Sequence, residues 1–266
     1  MTTCALAFTE ENEALSRELE QLNLEFVDLF TNHKHLAEQV SVILTSLYLE
    51  KLGHLQLELL QKQTETASLK MKMNLMQAAI NRDEQPDMPA IERLLNERLR
   101  SYYKQIQEQA ADIEQAKKVL SRLLPEEESL QLKELFRLLC KRLHPDLNPN
   151  QTEEEKDLFI RVKAAYDQQM TDELQKILLY LSQSGEKPSG LGVGEKRDRV
   201  AHLKKNIALL KDKIDQLKQS FPFNMEELIN DEEAIRQQQE EIRQQIQRAD
   251  EEIEKYTKII NIMANE

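Results

Sequence analysis

Residues 15–47, LSRELEQLNLEFVDLFTNHKHLAEQVSVILTSL, decide the fold class. Within them Leu15, Leu19, Leu22, Phe26, Leu29, His33, Leu36, Val40, Ile43 and Leu47 recur at alternating steps of four and three. Such steps place every member on one helical face, as a heptad seam with one polar position. Thr9 is placed to cap the start, with Glu10 and Glu11 in the first turn. The seam then slips by one residue and continues as Tyr48, Leu52, Leu55, Leu59, Lys62, Thr66, Leu69, Met73, Met76 and Ile80. A slip beside Gly53 calls for a stutter-like distortion, a kink or a tight reversal.

The pattern repeats outward from there. Pro86 and Pro89 close the first region, and a third seam runs through Leu95, Leu99, Tyr102, Ile106, Gln109, Ile113, Ala116, Leu120 and Leu123 to Pro125. Ser184 to Gly194 is the one Gly-, Ser- and Pro-rich stretch and reads as a flexible linker. Beyond it, Val200, Leu203, Ile207, Leu210, Ile214, Leu217 and Phe221 form one run. Ile235, Gln239, Ile242, Ile246, Ala249, Ile253, Tyr256, Ile260 and Met263 form another, after a break at Phe221–Asn224 where Asn224 is placed to cap a new helix. A short break between two heptad runs predicts an antiparallel helical hairpin, expected here as an independent unit. Its longer second arm leaves Ile253, Tyr256, Ile260 and Met263 to pack on the N-terminal coil or on a second copy of the chain.

The predicted fold is therefore all-α, with long coiled-coil helices flanking a small helical unit. The expected division is an N-terminal coiled coil over 1–85, a long helix over 86–124, the small unit over 125–183, the linker over 184–195 and the hairpin over 196–266. Composition agrees. Only 5 of 266 residues are Gly, and outside 185–194 only Gly53 is found, which counts against turn-rich sheets and Gly-rich phosphate loops. A net charge of −12 counts against nucleic acid or an anionic membrane as partner. Val40–Leu49, the most apolar stretch, is too short to span a bilayer, and residues 1–13 lack the basic flank of a signal peptide. Cys4 and Cys140 have no ligand spacing and read as free thiols in a reducing, cytoplasmic setting.

No nucleophile motif, paired-carboxylate pocket or P-loop is found, so neither an enzyme nor a cofactor is expected. No metal is expected either. His33, His35 and Glu38 lack a third strong ligand, and His33 reads as a register-setting polar residue. Met71, Met73, Met76 and Met88 read as gap-filling in a seam.

Residues 130–182 differ. Leu132, Leu135, Phe136, Leu139 and Leu143 make one apolar face of a helix over 132–143. Lys133, Arg137 and Lys141 recur every four residues on another, with Arg142 beside them. Pro145 disfavours helix at His144, so His144-Pro145-Asp146 ends this helix and Leu147–Asn150 continue as loop. Thr152 is placed to cap a second helix, with Glu153–Glu155 in its first turn and Phe159, Val162, Ala165 or Tyr166, and Met170 on its apolar face. Two such helices form an antiparallel pair with residues 144–146 at the tip, where neither His144 nor Asp146 is expected in the core.

These residues resemble the J-domain of the DnaJ co-chaperone family. Phe136-Arg137 on the basic helix, then His144-Pro145-Asp146, Asn148, and Phe159-x-x-Val162-x-x-Ala165-Tyr166 follow the family pattern in order and spacing. The likeness covers roughly residues 115–182, and the family's first helix falls to Val119–Leu124. A glycine-phenylalanine region and paired CxxC repeats are absent from the sequence, which corresponds to the family's third class. The resemblance implies a partner, a DnaK-type ATP-driven chaperone, bound through Lys133, Arg137, Lys141, Arg142 and the His144-Pro145-Asp146 loop and stimulated to hydrolyse ATP. It also implies a core of Leu135, Phe136, Leu139, Leu143, Phe159, Val162 and Tyr166. The coils would then choose a client protein or form a homo-oligomer. The alternative reading is a coiled-coil scaffold or adaptor with a relic J-like unit.

Overall fold

In the computed structural model the first seam is helical from Thr2, seven residues before Thr9, so Thr9 does not cap it. The structure describes residues 2–183 and 191–265, with side chains for 10–182 and 191–264. Helix α1 (Thr2–His35) runs into a π turn at Leu36–Val40, then α2 (Ser41–Tyr48), a second π turn at Leu49–Gly53 and α3 (His54–Ile80). A π turn holds one residue more than an α turn, so the following side chains shift by one position. The second π turn begins just after Tyr48, where the seam slips, whereas the seam runs through the first, at Leu36 and Val40, without a slip. Gly53 stays helical at φ −58° and ψ −40°, and the chain neither reverses nor breaks there. A Cβ on Gly53 would lie 3.1 Å from Ile113 Cγ1, so the glycine admits a close approach by the next helix.

That helix is α4 (Met88–Leu120), capped by Asp87, whose carboxylate accepts from the Ala90 amide at 3.0 Å. Then come α5 (Glu126–Leu143), α6 (Glu153–Asp167), α7 (Thr171–Gln183), α8 (Val193–Gln219), a 3₁₀ turn at Phe223–Met225, α9 (Glu226–Asn230) and α10 (Glu232–Asn265). Every regular element among the described residues is helical. None is long and apolar enough to cross a membrane. Of the expected linker, residues 184–190 lie outside the described residues, and 193–195 are the first turn of α8.

The chain divides into two units. One holds α1, α5, α6, α7 and α8, from residues up to Val42 and from Leu123–Phe223. The other holds α2, α3, α4, α9 and α10, from Ile43–Arg122 and from Asn224 onward. This corrects the expected division. The N-terminal region is shared between both units instead of forming its own coil over 1–85. Helix α4, which precedes α5 in the chain as the long helix expected over 86–124, packs on α3.

The hairpin expected over 196–266 is also corrected, because its two runs take different partners. In the first unit α8 lies parallel to α1, with ion pairs Glu11–Arg197, Glu18–Lys204 and Glu25–Lys211 repeating every seven residues in both helices. Val200, Leu203, Ile207 and Leu210 are buried in the core that also holds Leu19, Phe26 and Val27. In the second unit α10 lies parallel to α3. Lys51 Nζ donates to the Ile229 carbonyl at 2.7 Å, Lys62 pairs with Asp250 at 2.7 Å, and Met76 shares a core with Ile260, Ile91 and Leu95. A parallel helix offers each seam a full-length apolar partner, whereas a hairpin would have left the end of the longer arm bare. Asn224 lies in the 3₁₀ turn and caps nothing. Asp231 caps α10 instead, its Oδ1 accepting from the amides of Glu233 and Ala234 at 2.9 and 3.1 Å.

Candidate functional site

Helix α5 begins at Glu126, behind Pro125, six residues before the expected start. Three glutamates in its first turn and Lys141 and Arg142 in its last suit the helix dipole. Leu132, Leu135, Phe136, Leu139, Cys140 and Leu143 face inward and are buried. Phe136 stacks on Tyr166 of α6 with ring centres 4.2 Å apart, and Phe30 of α1 lies 6.3 Å away. Thr152 and Glu155 form a full capping box at the start of α6. Phe159, Val162, Ala165 and Tyr166 are all buried, whereas Met170 lies beyond the helix and is exposed. Burial pushes the Cys140 thiol pKa up, so it is an inert core atom.

Between α5 and α6 lies the His144-Pro145-Asp146 loop. The Leu147 and Asn148 amides both donate to the His144 carbonyl, at 3.0 and 2.9 Å. Asn148 Nδ2 reaches the Lys141 and His144 carbonyls at 3.3 Å, and Gln151 donates to the Leu143 carbonyl. The carbonyls of Lys141, Leu143 and His144 at the end of α5 are thus satisfied by the loop itself.

His144 is buried, which corrects the expectation that it lies outside the core. Its ring meets Phe26 at 4.8 Å, Phe30 at 4.4 Å and Phe159 at 5.3 Å, all edge to face. Burial pushes its pKa down to about 4, with nearby Asp146 opposing. Nδ1 is 3.1 Å from the Asp146 amide and accepts its hydrogen, so the ring is neutral with its proton on Nε2. His144 therefore shapes the turn from inside, and Pro145 stands exposed at its apex. Two of the three rings that bury it, Phe26 and Phe30, come from α1, more than a hundred residues earlier. No local pattern around residue 144 signals it.

Asp146 stays partly exposed, and both its oxygens meet α8. Oδ2 accepts from Asn206 Nδ2 at 2.8 Å, and Oδ1 lies 3.4 Å from His202 Nε2. A guanidinium nitrogen of Arg199 donates to the Leu147 carbonyl at 2.6 Å. These α8 residues, with Phe26, Phe30 and Asp28 of α1, are the members of the site that sequence reading missed.

The row of cations on α5 is divided. Arg137 pairs with Asp28 at 2.6 Å and with Glu134 at 3.4 Å, and Asp28 pushes its pKa further up. Lys133 is half-buried. Lys141 and Arg142 are exposed and carry no ion pair among the described residues. Deeper in, the Lys34 ammonium is bound by Glu38 and Asp167 and lies 6.0 Å over Phe136 and 5.9 Å over Tyr166. His35 Nδ1 meets the Tyr166 hydroxyl at 3.1 Å, and burial lowers the His35 pKa. Gln39 in the first π turn accepts from Gln169 at 2.6 Å. These contacts tie His35 and Glu38 to α6. No group of three or more His, Cys, Asp or Glu among the described residues is arranged to hold a metal.

Charge reversal separates the two kinds of cation. Arg137→Glu breaks the pair with Asp28 and sets three carboxylates together, so it is expected to cost about 1 kcal/mol in urea unfolding. Lys141→Glu is expected to change stability by less than about 0.5 kcal/mol. Equal losses would show that the Asp28 pair contributes nothing. Compared with known proteins, the chain matches no family model, no curated protein and no solved structure.

Proposed function

We propose that this chain is a J-domain co-chaperone of the third class, which recruits a DnaK-type chaperone in the cytoplasm and stimulates its ATP hydrolysis. The observation that carries this reading is the tip of the α5–α6 pair. A rigid turn, set from inside by neutral His144, presents Pro145 and the Asp146 carboxylate beside Lys141 and Arg142, which are exposed and have no ion pair among the described residues. Exposed cations give fast, salt-sensitive encounter with an acidic surface, and a carboxylate on a rigid loop can then pair with a partner's arginine. Hydrolysis belongs to the partner, and this chain supplies only contacts. The remaining helices are left to choose a client or a second copy of the chain.

The test is the steady-state ATPase rate of the host's DnaK-type chaperone with the full chain and with Asp146→Asn. The substitution keeps the side chain's shape and removes its charge, and stimulation is expected to fall at least tenfold with helix content unchanged. Equal stimulation by both proteins removes the assigned role.

A second reading, a helical scaffold or adaptor without chaperone contact, is favoured by one observation. Asp146 and Arg137 already have partners inside the chain. Under that reading neither protein alters the ATPase rate.

A further inference from the structure

Arg199, His202 and Asn206 occur at steps of three and four, so they line one stripe of α8. That stripe is the part of α8 that touches the 144–147 loop. A different stripe attaches the helix: Val200, Leu203, Ile207 and Leu210 are buried with α1, and Lys204 and Lys211 pair with Glu18 and Glu25 at 2.7 Å. The polar row is therefore not what holds α8 in place. Its contacts converge on one carboxylate and the next residue's carbonyl.

We propose that α8 is an intramolecular mask, with Asn206 and His202 occupying the Asp146 carboxylate and Arg199 pinning the following carbonyl, so that the chain as folded here is the resting form of the co-chaperone. This inference rests on the function proposed above. A partner cation and Asn206 compete for the same oxygen. Any contact that favours the masked loop lowers the apparent affinity for the partner in proportion to the fraction of chains that is unmasked. Whatever displaces the 199–206 face of α8 raises the stimulation, provided it binds the open form better than the masked one.

The experiment uses the full chain with His202→Ala/Asn206→Ala, and separately with Asn206→Asp, which keeps size and polarity but sets a carboxylate against Asp146. His202 is more than half exposed and Asn206 partly so, and neither change touches the buried stripe. Stimulation of the host's DnaK-type ATPase is read at sub-saturating concentration, with hydrogen exchange of residues 144–148 as a direct measure of the loop. Both variants are expected to speed loop exchange and to stimulate about tenfold more than the unaltered chain, the factor that 1.4 kcal/mol of differential binding supplies. Asp146→Asn added to either should abolish the gain. Variants and parent that stimulate equally, in an Asp146-dependent manner, overturn the mask and leave the co-chaperone reading standing. If neither parent nor variants stimulate although the loop exchanges faster, the co-chaperone reading fails and the mask falls with it.

Discussion

Phe136→Ala should destabilise the first unit by about 3–5 kcal/mol, the range for removing a fully buried aromatic ring. The side chain is completely buried where α1, α5 and α6 meet. Its ring stacks on Tyr166 at 4.2 Å and lies near Phe30, and the Lys34 ammonium sits 6.0 Å above it. Truncation removes the ring's own burial, its stacking with Tyr166 and a face that Lys34 uses. The neighbours cannot close the gap cheaply, because Leu132, Leu139 and Val162 are themselves fully buried and held in packed positions. Urea unfolding measures the loss. Leu138→Ala on the same helix is the comparison: Leu138 is exposed, and its loss should be a small fraction of the other. Similar losses at the two positions would contradict the inward face assigned to α5.

Acid should weaken the same unit through His144. Burial holds the native pKa at about 4, while in the unfolded chain the ring titrates near 6.5. Between these values the unfolded state binds the proton and the native state does not, so stability rises with pH across this window. The proton-linked penalty is absent above pH 6.5 and grows as the pH falls toward 4, where the accumulated loss of stability is about 3 kcal/mol. His33 and His35 add to it in the same direction, since burial lowers both. Carboxylates titrate in this range too, so the informative quantity is a difference. His144→Gln lacks the titration, and the stability gap between it and the parent should narrow as pH falls from 7 to 4. Curves that stay parallel would show that His144 titrates normally in the native chain and is not buried as described.

Much of this was legible residue by residue. The apolar spacing of 132–143 and 159–166 marks the inward faces of α5 and α6, because a helix must bury one stripe wherever its partner comes from. Pro145 after His144 sets the loop, and Thr152 with Glu155 sets the start of α6, since both act within a few bonds. The one-residue slip at Tyr48 marked a local distortion of the helix, although not its form. Even the charges that match α1 to α8 were present, as Glu11, Glu18 and Glu25 opposite Arg197, Lys204 and Lys211. They carry meaning only when the two helices are laid side by side, nearly two hundred residues apart in sequence.

The sequence by itself determined an all-helical chain, the span of most helices, the buried faces and the His144-Pro145-Asp146 turn. All of these follow from periodicity and from contacts within a few residues. Only the tertiary structure decided which seam meets which: α8 along α1, α10 along α3, and α4 on α3 and on the second π turn at Gly53. A heptad seam states that an apolar partner is required but not its address, and several seams of similar width compete for each position. The same limit kept the surroundings of His144 and Asp146 out of view. Phe26, Phe30, His202 and Asn206 reach that loop through packing of distant helices, which no local pattern encodes.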